Sequence, residues 1–408
     1  MMNRRLFVQG LSAAAVATNS IASLAETALP GPSSDATPIR LGIIGPGSRG
    51  KELIRNALRV PGVKVVAAAD VYPPRFQQLN QLCGYEVAAH HDYRALVDRK
   101  DLDAIIVSTP LSFHAEHVLA ALKTGHHVYG EKTMAFTVDE TNQIAKAVES
   151  GKQVFQVGHQ YRYAAWIQSG IKRIQQGEIG DLTHVYAYWH RNNNWRRPVP
   201  DPSLERLINW RLYKQYSHGL LSELASHHID LANWAFGEAP QTAYATGSIA
   251  VYHDGREVND NVQSVLGYSK GRRFVFSSIT DNAMMGDQLW FYGTKGSLNL
   301  TLEDATFYYE PKHAHRIKPK NGVEGRGITT GASYRPGGEM PYRGAGKPIP
   351  IVNREDPTQT AVRSFIQCAR TGEKPISDVQ NGARVAMAVI TAYHSLDAKR
   401  ELEIPVVA

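Results

Sequence analysis

Hydrophobic and polar positions fall into two textures along this chain. From residue 38 onward, short apolar runs alternate with stretches whose apolar residues recur at helical spacing. Leu41-Gly42-Ile43-Ile44 is the first such run; Gly45-Pro46-Gly47-Ser48-Arg49-Gly50 follows it, then a helical stretch over 51–59. A second apolar run over 63–70 closes on an acid, and 104–108, 127–129 and 154–157 read as further strands. Helices are expected between them over 113–123 and 138–150, the pattern of parallel βαβ units. After about residue 160 the texture changes. A helix is expected over 164–176, but 183–190, 242–252, 261–268, 273–279, 288–293 and 297–301 read as strands mostly without helices between them. That order suits an antiparallel sheet. Helices over 358–370 and 379–400 end the chain, and no internal repeat is present.

Length supports two domains. A chain of 408 residues exceeds one ordinary core, since single cores stop growing at roughly 250–300 residues. The composition, 43% hydrophobic and 20% charged, is that of a soluble globular protein. The net charge of +7 raises the question of nucleic acid, but the excess is local. Residues 311–350 hold eight Lys or Arg against two acids, and Arg4 and Arg5 add two more charges, so the remainder is about −1. A nucleic-acid protein spreads its basic residues along a folded face, and none is expected here. The 311–350 stretch also carries fourteen Gly or Pro in forty residues, too many for regular elements. A lid over a pocket and an arm to a neighbouring subunit are equal readings of it.

The N-terminus reads as an address. Asn3-Arg4-Arg5-Leu6-Phe7-Val8 is similar to a twin-arginine export motif, an Ala-rich apolar run extends to Ala25, and Ser23-Leu24-Ala25 offers a small-residue cleavage site. Residues 1–35 are thus expected to be a signal and linker, and the folded protein to be periplasmic. A short anchor or a loose tail is the other reading. No run reaches the ~20 apolar residues of a spanning helix. Cys83 and Cys368 stand in no catalytic or metal spacing and are expected to be buried structural residues, with their pairing open.

Gly-x-Gly-x-x-Gly is weak by itself. Here it follows an apolar strand, opens a helix, and is answered by Asp70 twenty residues beyond Gly50, which is the context the motif needs. Gly45 permits the tight turn, Gly47 lets backbone approach a pyrophosphate, and Gly50 lets helix and strand pack closely. Ser48 and Arg49 stand at the helix start, where free N–H groups favour phosphate. A carboxylate at Asp70 suits the ribose hydroxyls and repels a 2′-phosphate, so NAD is favoured over NADP, with Arg75 close enough in sequence to blur the choice. The expected fold is α/β, with an N-terminal Rossmann domain over 36–160. A C-terminal α+β domain over 161–408 follows, built on a large open, mainly antiparallel sheet, and the last helices are free to pack back on the first domain.

Four places carry a wider resemblance: residues 45–50; Ser108-Thr109-Pro110 with His114; Glu131-Lys132-Thr133; and Glu223-Leu224-Ala225-Ser226-His227-His228-Ile229-Asp230. From Pro38 to its end the chain resembles the glucose–fructose oxidoreductase and inositol dehydrogenase (Gfo/Idh/MocA) family. In that family a Glu-Lys-Pro run places its lysine beside the nicotinamide and the reacting hydroxyl, which implies this role for Lys132. Thr133 departs from the proline and leaves the local backbone open. An ammonium there would stabilise alkoxide charge and relay a proton; without the resemblance, a solvated surface lysine reads equally well. The family's second element implies His227 as the base and Glu223 as the acid that orients it, one turn away on a helix. Histidine suits the task because its ordinary pKa is ~6.5. Glu223, His227 and Asp230, or His227 with His190, could instead bind a metal, but no strong metal spacing is present and none is expected.

The resemblance also implies cofactor contacts from Thr109, Pro110, His114, Glu131 and Gln160. The donor- and aromatic-rich run from Trp189 to Pro198 suits a carbohydrate, whose hydroxyls meet donors and whose C–H faces meet rings. Arg162, His190, Arg191, Asn192, Trp195 and Asp230 are the candidate substrate contacts; a packed loop or a subunit interface is the bland alternative. Three functions follow. One is hydride transfer between NAD and a sugar or glycoside hydroxyl, with ring C3 as the candidate carbon. Another is a redox glycosidase, as in a subgroup of similar exported proteins, using transient C3 oxidation, elimination and re-reduction. Residues 45–50 look like that subgroup's, but its Tyr-Pro-Thr-His-Gly run is missing. The last is a non-catalytic nucleotide-binding sensor. An open sheet also implies a homo-oligomer, dimer or tetramer.

Overall fold

The computed structural model describes residues 37–310, 345–351 and 354–408. Residues 1–35, expected to be an export signal and linker, and most of the basic Gly/Pro-rich stretch lie outside the described residues. Among those described, no helix is long and apolar enough to cross a membrane.

The first apolar runs build a parallel sheet. Its strands are β1 (Ile39–Ile44), β2 (Val63–Ala69), β3 (Ala88–His90), β4 (Ala104–Val107), β5 (His127–Gly130) and β6 (Phe155–Val157). They lie in the order β3-β2-β1-β4-β5-β6, so the chain reverses direction across the sheet between β1 and β4. In open α/β sheets ligands bind at such a switch point, beyond the carboxyl ends of the strands. The crossovers are α1 (Ser48–Ala57), α2 (Pro74–Cys83), α3 (Tyr93–Val97), α4 (His114–Lys123) and α5 (Val138–Glu149). A capping box starts α5: Thr137 Oγ1 accepts from the Glu140 N–H, and Glu140 Oε2 accepts from the Thr137 N–H.

After α6 (Ala165–Gln175) comes β7 (Leu182–His190), then the short helix α7 (Glu205–Ile208) and α8 (Ser226–Phe236). The strands that follow are β8 (Thr242–Ser248), β9 (Asn261–Gly267), β10 (Arg273–Ile279), β11 (Asp287–Gly293), β12 (Gly296–Thr301), β13 (Ala305–Tyr309) and β14 (Lys347–Pro348). Helices α9 (Pro357–Thr371) and α10 (Val379–Ala398) precede β15 (Leu402–Glu403). Nine strands form one sheet, β14-β13-β12-β11-β7-β10-β9-β8-β15. It is antiparallel except where β7 runs parallel to β10. One face is packed: Val185, Phe274, Phe276, Leu289 and Phe291 meet Ile167 and Ile171 of α6, Ile229 of α8 and Val385 and Val389 of α10. The other face stays open.

The two sheets share helices. Ala383, Ala386 and Ile390 of α10 pack on the first sheet while Val385, Ala388 and Val389 pack on the second. Val362, Phe365 and Ile366 of α9 join the core under β1 and α1. Two adjacent faces of α10 are therefore apolar, which a residue-by-residue count of one stripe does not separate. Cys83 and Cys368 are both free, the first half-buried and the second buried.

Candidate active site

The turn after β1 is built for a close approach. Gly45 adopts φ +84°, a left-handed conformation that suits glycine, and its N–H donates to the Ala69 carbonyl at 2.9 Å. A Cβ on Gly50 would lie 2.5 Å from the Gly45 carbonyl and 2.6 Å from Ser108 Oγ, whereas one on Gly47 would meet nothing within 4 Å. Gly50 is thus needed by the protein itself, and the space at Gly47 is kept for something else. That space belongs to a cavity of about 440 Å³ lined by Ser48, Asp70, Thr109 and Pro110. Substituting Gly47→Ala should leave the urea midpoint unchanged and weaken NAD binding about tenfold or more in a fluorescence titration. Gly50→Ala should instead lower stability. Equal NAD affinity in Gly47→Ala would place the phosphates elsewhere.

Asp70 follows β2 and lines this cavity, and Arg75 Nη1 lies 2.9 and 3.0 Å from its two oxygens. Oδ1 also accepts from the Tyr72 N–H at 2.9 Å. A carboxylate has about four acceptor positions, so one side remains for a ribose hydroxyl. At the other wall, His114 is buried, with Nδ1 2.8 Å from the Thr133 carbonyl and Nε2 2.9 Å from the Thr109 carbonyl. It ties the loop after β4 to the segment that carries Lys132, and burial lowers its pKa. Glu131 is buried against Arg49, Nε to Oε1 at 2.8 Å.

A second cavity of about 610 Å³ adjoins the first and shares Arg49, Ser108, Thr109, Arg197 and Trp210 with it. Lys132, from the loop after β5, and His227, from α8, both line it, as do Glu131, Gln160, Arg191 and Trp195. Lys132 Nζ donates to the carbonyls of Glu223 at 2.8 Å and Ser222 at 3.3 Å, and the Lys132–Thr133 peptide is cis. Burial lowers the Lys132 pKa, against the opposing charges of Glu223 and Glu131. The His227 ring stacks on Tyr161 at 4.6 Å and lies 5.8 Å from Trp189. Its Nδ1 is buried without a hydrogen-bond partner among the described residues. Burial, then the charge of Lys132, holds its pKa well below the ordinary histidine value.

Several expected contacts fall differently. Glu223 does not hydrogen-bond His227: its Oε2 accepts from Arg211 Nε at 2.8 Å and its Oε1 from Ser217 Oγ at 3.1 Å. Residues Leu221–Ala225 wind as a π-turn ahead of α8, which breaks the regular spacing on which one shared face depends. Burial would raise the Glu223 pKa, but Arg211 and Lys132 outweigh it and hold the carboxyl low. Glu223 therefore acts on the lysine side of the cavity through its carbonyl and its charge.

Arg162 and Asp230 also stand away from the cavity. They are buried and bound to each other, Nε to the two carboxylate oxygens at 2.7 and 2.9 Å, with the guanidinium 4.8 Å from the Trp234 ring. Neither lines the cavity, because each neutralises the other in the interior. His190 Nε2 lies 3.0 Å from Ser277 Oγ on the outer face of the sheet, and Asn192 is exposed and bridges to Asp281. Both leave the site, since alternation along β7 sends His190 to the opposite side from Trp189.

Other residues at or near the site were not assigned a contact from the sequence. Trp210 and Arg211 come from an aperiodic stretch and line both cavities. Arg197 Nη1 donates to Ser48 Oγ at 3.0 Å, laying a strap from the second half of the chain across the glycine turn. His159, 1% exposed, sits 4.0 Å from Asp230 and 6.1 Å from the His227 ring with neither nitrogen bonded among the described residues. Burial lowers its pKa to about 4.

A neutral imidazole and an ammonium thus face one space that opens directly on a dinucleotide cleft, the layout of a nicotinamide-dependent oxidoreductase. Comparison with known proteins narrows the class. Residues 39–159 match the oxidoreductase family with an NAD-binding Rossmann fold, and residues 168–299 match the GFO/IDH/MocA C-terminal domain. The chain belongs to the GFO/IDH/MocA family, and its cofactor is NAD. It is 25% identical over 368 residues to the 2,7-anhydro-N-acetylneuraminate hydratase of Escherichia coli, spanning 87% of this chain and 93% of that one. It is 27% identical over 233 residues to a glycosyl hydrolase family 109 protein of Shewanella pealeana, spanning 52% and 50%. Levoglucosan dehydrogenase in complex with NADH and levoglucosan shares the fold, with a TM-score of 0.71 at 20% identity over 91% of this chain and all of that one.

Proposed function

We propose that this protein moves a hydride between NAD and a hydroxyl-bearing carbon of a sugar or glycoside. The observation that carries the reading is that Lys132 and His227, from opposite halves of the chain, line one cavity continuous with the nucleotide cleft. NAD, when bound, supplies the hydride acceptor. His227 is held neutral and is suited to accept the hydroxyl proton, while the Lys132 ammonium stabilises the alkoxide as it develops. Trp189 and Trp195 offer flat apolar faces and Arg191 and Gln160 offer polar groups, a combination that suits a ring with C–H faces and hydroxyl edges.

A redox glycosidase is the second reading, and the strap favours it. Arg197, Leu207, Ile208, Trp210 and Arg211 all line the nucleotide cavity from the far half of the chain. A covered cofactor suits a cycle in which oxidation at C3, elimination of the aglycone, addition of water and re-reduction leave NAD unconsumed. One assay separates the readings: aryl glycosides are incubated with and without added NAD, and NADH absorbance and aryl alcohol are followed together. Stoichiometric NADH identifies the dehydrogenase, and aryl alcohol without net NADH identifies the glycosidase. Silence across a broad glycoside panel defeats both and leaves the non-catalytic sensor.

The depressed His227 value has a sign that can be tested. The base works unprotonated, and a lowered pKa keeps it so as pH falls. For oxidation, kcat/KM should stay level from about pH 8 to about pH 6 and decline only further down. A limb centred on the ordinary histidine value in the wild type would remove His227 as the base.

The open sheet face presents Tyr186, Tyr244, Val265 and Tyr292, each about 37–39% exposed. Such a patch is larger than scattered surface apolar residues account for, and a second copy of the chain is its proposed cover.

A further inference from the structure

We infer that the sugar carries a carboxylate, bound by Arg191 between Trp189 and Trp195. The inference rests on the sugar-oxidation reading above and names its substrate class.

Charge in the 610 Å³ cavity does not balance. Six cationic side chains line it, and five have an occupation. Arg49 pairs with Glu131 at 2.8 Å and Glu52 at 3.2 Å, and Arg211 pairs with Glu223 at 2.8 Å. Arg196 is held by Asp254 at 3.0 Å and by Glu205. Lys132 is bound to backbone carbonyls, and Arg197 reaches Ser48 at the start of α1, where the dinucleotide's phosphates are expected. Arg191 remains. Among the described residues its guanidinium makes no hydrogen bond and no ion pair; it lies 5.3 Å from the Trp189 ring and 5.4 Å from the Trp195 ring.

The nearest acid is already committed. Burial lowers the Arg191 pKa and the charge of Asp287 only opposes it; Asp287 Oδ1 is 2.7 Å from His228 Nε2 and its Oδ2 accepts from the Tyr161 hydroxyl at 3.0 Å. A half-buried guanidinium left unpaired is costly, and the site spends more to aim it. Trp195 sits at φ 63°, a left-handed conformation unusual for a bulky residue, held there by a 2.7 Å bond from its N–H to Asn193 Oδ1. Two rings flank the guanidinium, and its N–H groups are left without a partner among the described residues. A planar fork matches a carboxylate in two parallel bonds. One uncompensated cation matches a monoanion better than a phosphate dianion, which settles the choice between them.

The test is calorimetric titration of the NAD-loaded protein with matched pairs: methyl glucoside against methyl glucuronide, galactose against galacturonate, and glucose 6-phosphate as the other anion. Each acid should bind about tenfold or more tightly than its neutral partner, and the difference should vanish in Arg191→Gln and shrink in Arg191→Lys, with NAD affinity unchanged in both. Equal binding of acid and neutral sugar, tighter binding of the phosphate, no affinity for any acid, or a preference that survives Arg191→Gln would each overturn it. NADH formation is read in parallel. Acid preference without hydride transfer would sink the oxidation reading while sparing this one; turnover of neutral sugars with no acid preference would do the reverse.

Discussion

Replacing Lys132 with alanine should leave NAD binding intact and reduce single-turnover hydride transfer about 10³-fold, within the range of roughly 10²–10⁴ that a positioned proton-transfer group supplies. The side chain donates to the carbonyls of Ser222 and Glu223, so its removal costs the fold little at an edge already next to a cavity. What disappears is, among the described residues, the one positive charge that faces this cavity from the Rossmann half without a carboxylate bound to it. Lys132→Arg separates charge from proton transfer. Arginine keeps the charge but does not give up a proton in proteins, so a variant that stays slow points to relay and one that recovers points to electrostatics. The effect should reach the pH profile as well. Lys132 is among the charges that lower the His227 pKa, so in Lys132→Met the residual activity should lose its low-pH plateau first. Rates within about tenfold of wild type in Lys132→Ala would take the ammonium out of the chemistry.

Asp230→Ala should destabilise the protein by about 3–5 kcal/mol, the cost of leaving one partner of a buried ion pair alone. Arg162 is 4% exposed and Asp230 1%, so water has little access to the charge left behind. The double variant Arg162→Met/Asp230→Leu should recover most of the loss, since apolar residues of similar volume replace such pairs at little cost. Urea midpoints measure both effects. Kinetics supply the control: neither side chain lines the cavity, so the KM for sugar should be unchanged in the double variant. A raised KM with an unchanged midpoint would return the pair to the substrate site.

Local chemistry made the first half of the chain readable. Residues 45–50 announce a glycine turn because two of the glycines answer a demand of the fold, a positive φ at Gly45 and a Cβ clash at Gly50, while Gly47 leaves open space beside the turn. The parallel strands read as apolar runs because both their faces are buried, and β1, β2, β4 and β5 stand close to their expected places. Short or edge pieces escaped. Helix α2 begins at Pro74 and carries only two buried residues, Phe76 and Leu79, too few to print a periodic stripe. Strands β13, β14 and β15 lie at or near the sheet's margins, and two of them are two residues long.

By itself the sequence determined most of the strands and helices and the dinucleotide turn, because each depends on interactions within about one helical turn or one strand, and its resemblance to a family pointed to Lys132 and His227 as the candidate catalytic pair. Only the tertiary structure decided which charges answer which. It turned Glu223 to Arg211, closed Arg162 on Asp230, sent His190 to the far face and brought Arg197 and Trp210 to the wall of the nucleotide cavity. A side chain's partner is set by whatever lies within about 4 Å of it in space, and in these cases that neighbour is 12, 68, 87 and 149 residues away or belongs to a segment with no periodicity to read.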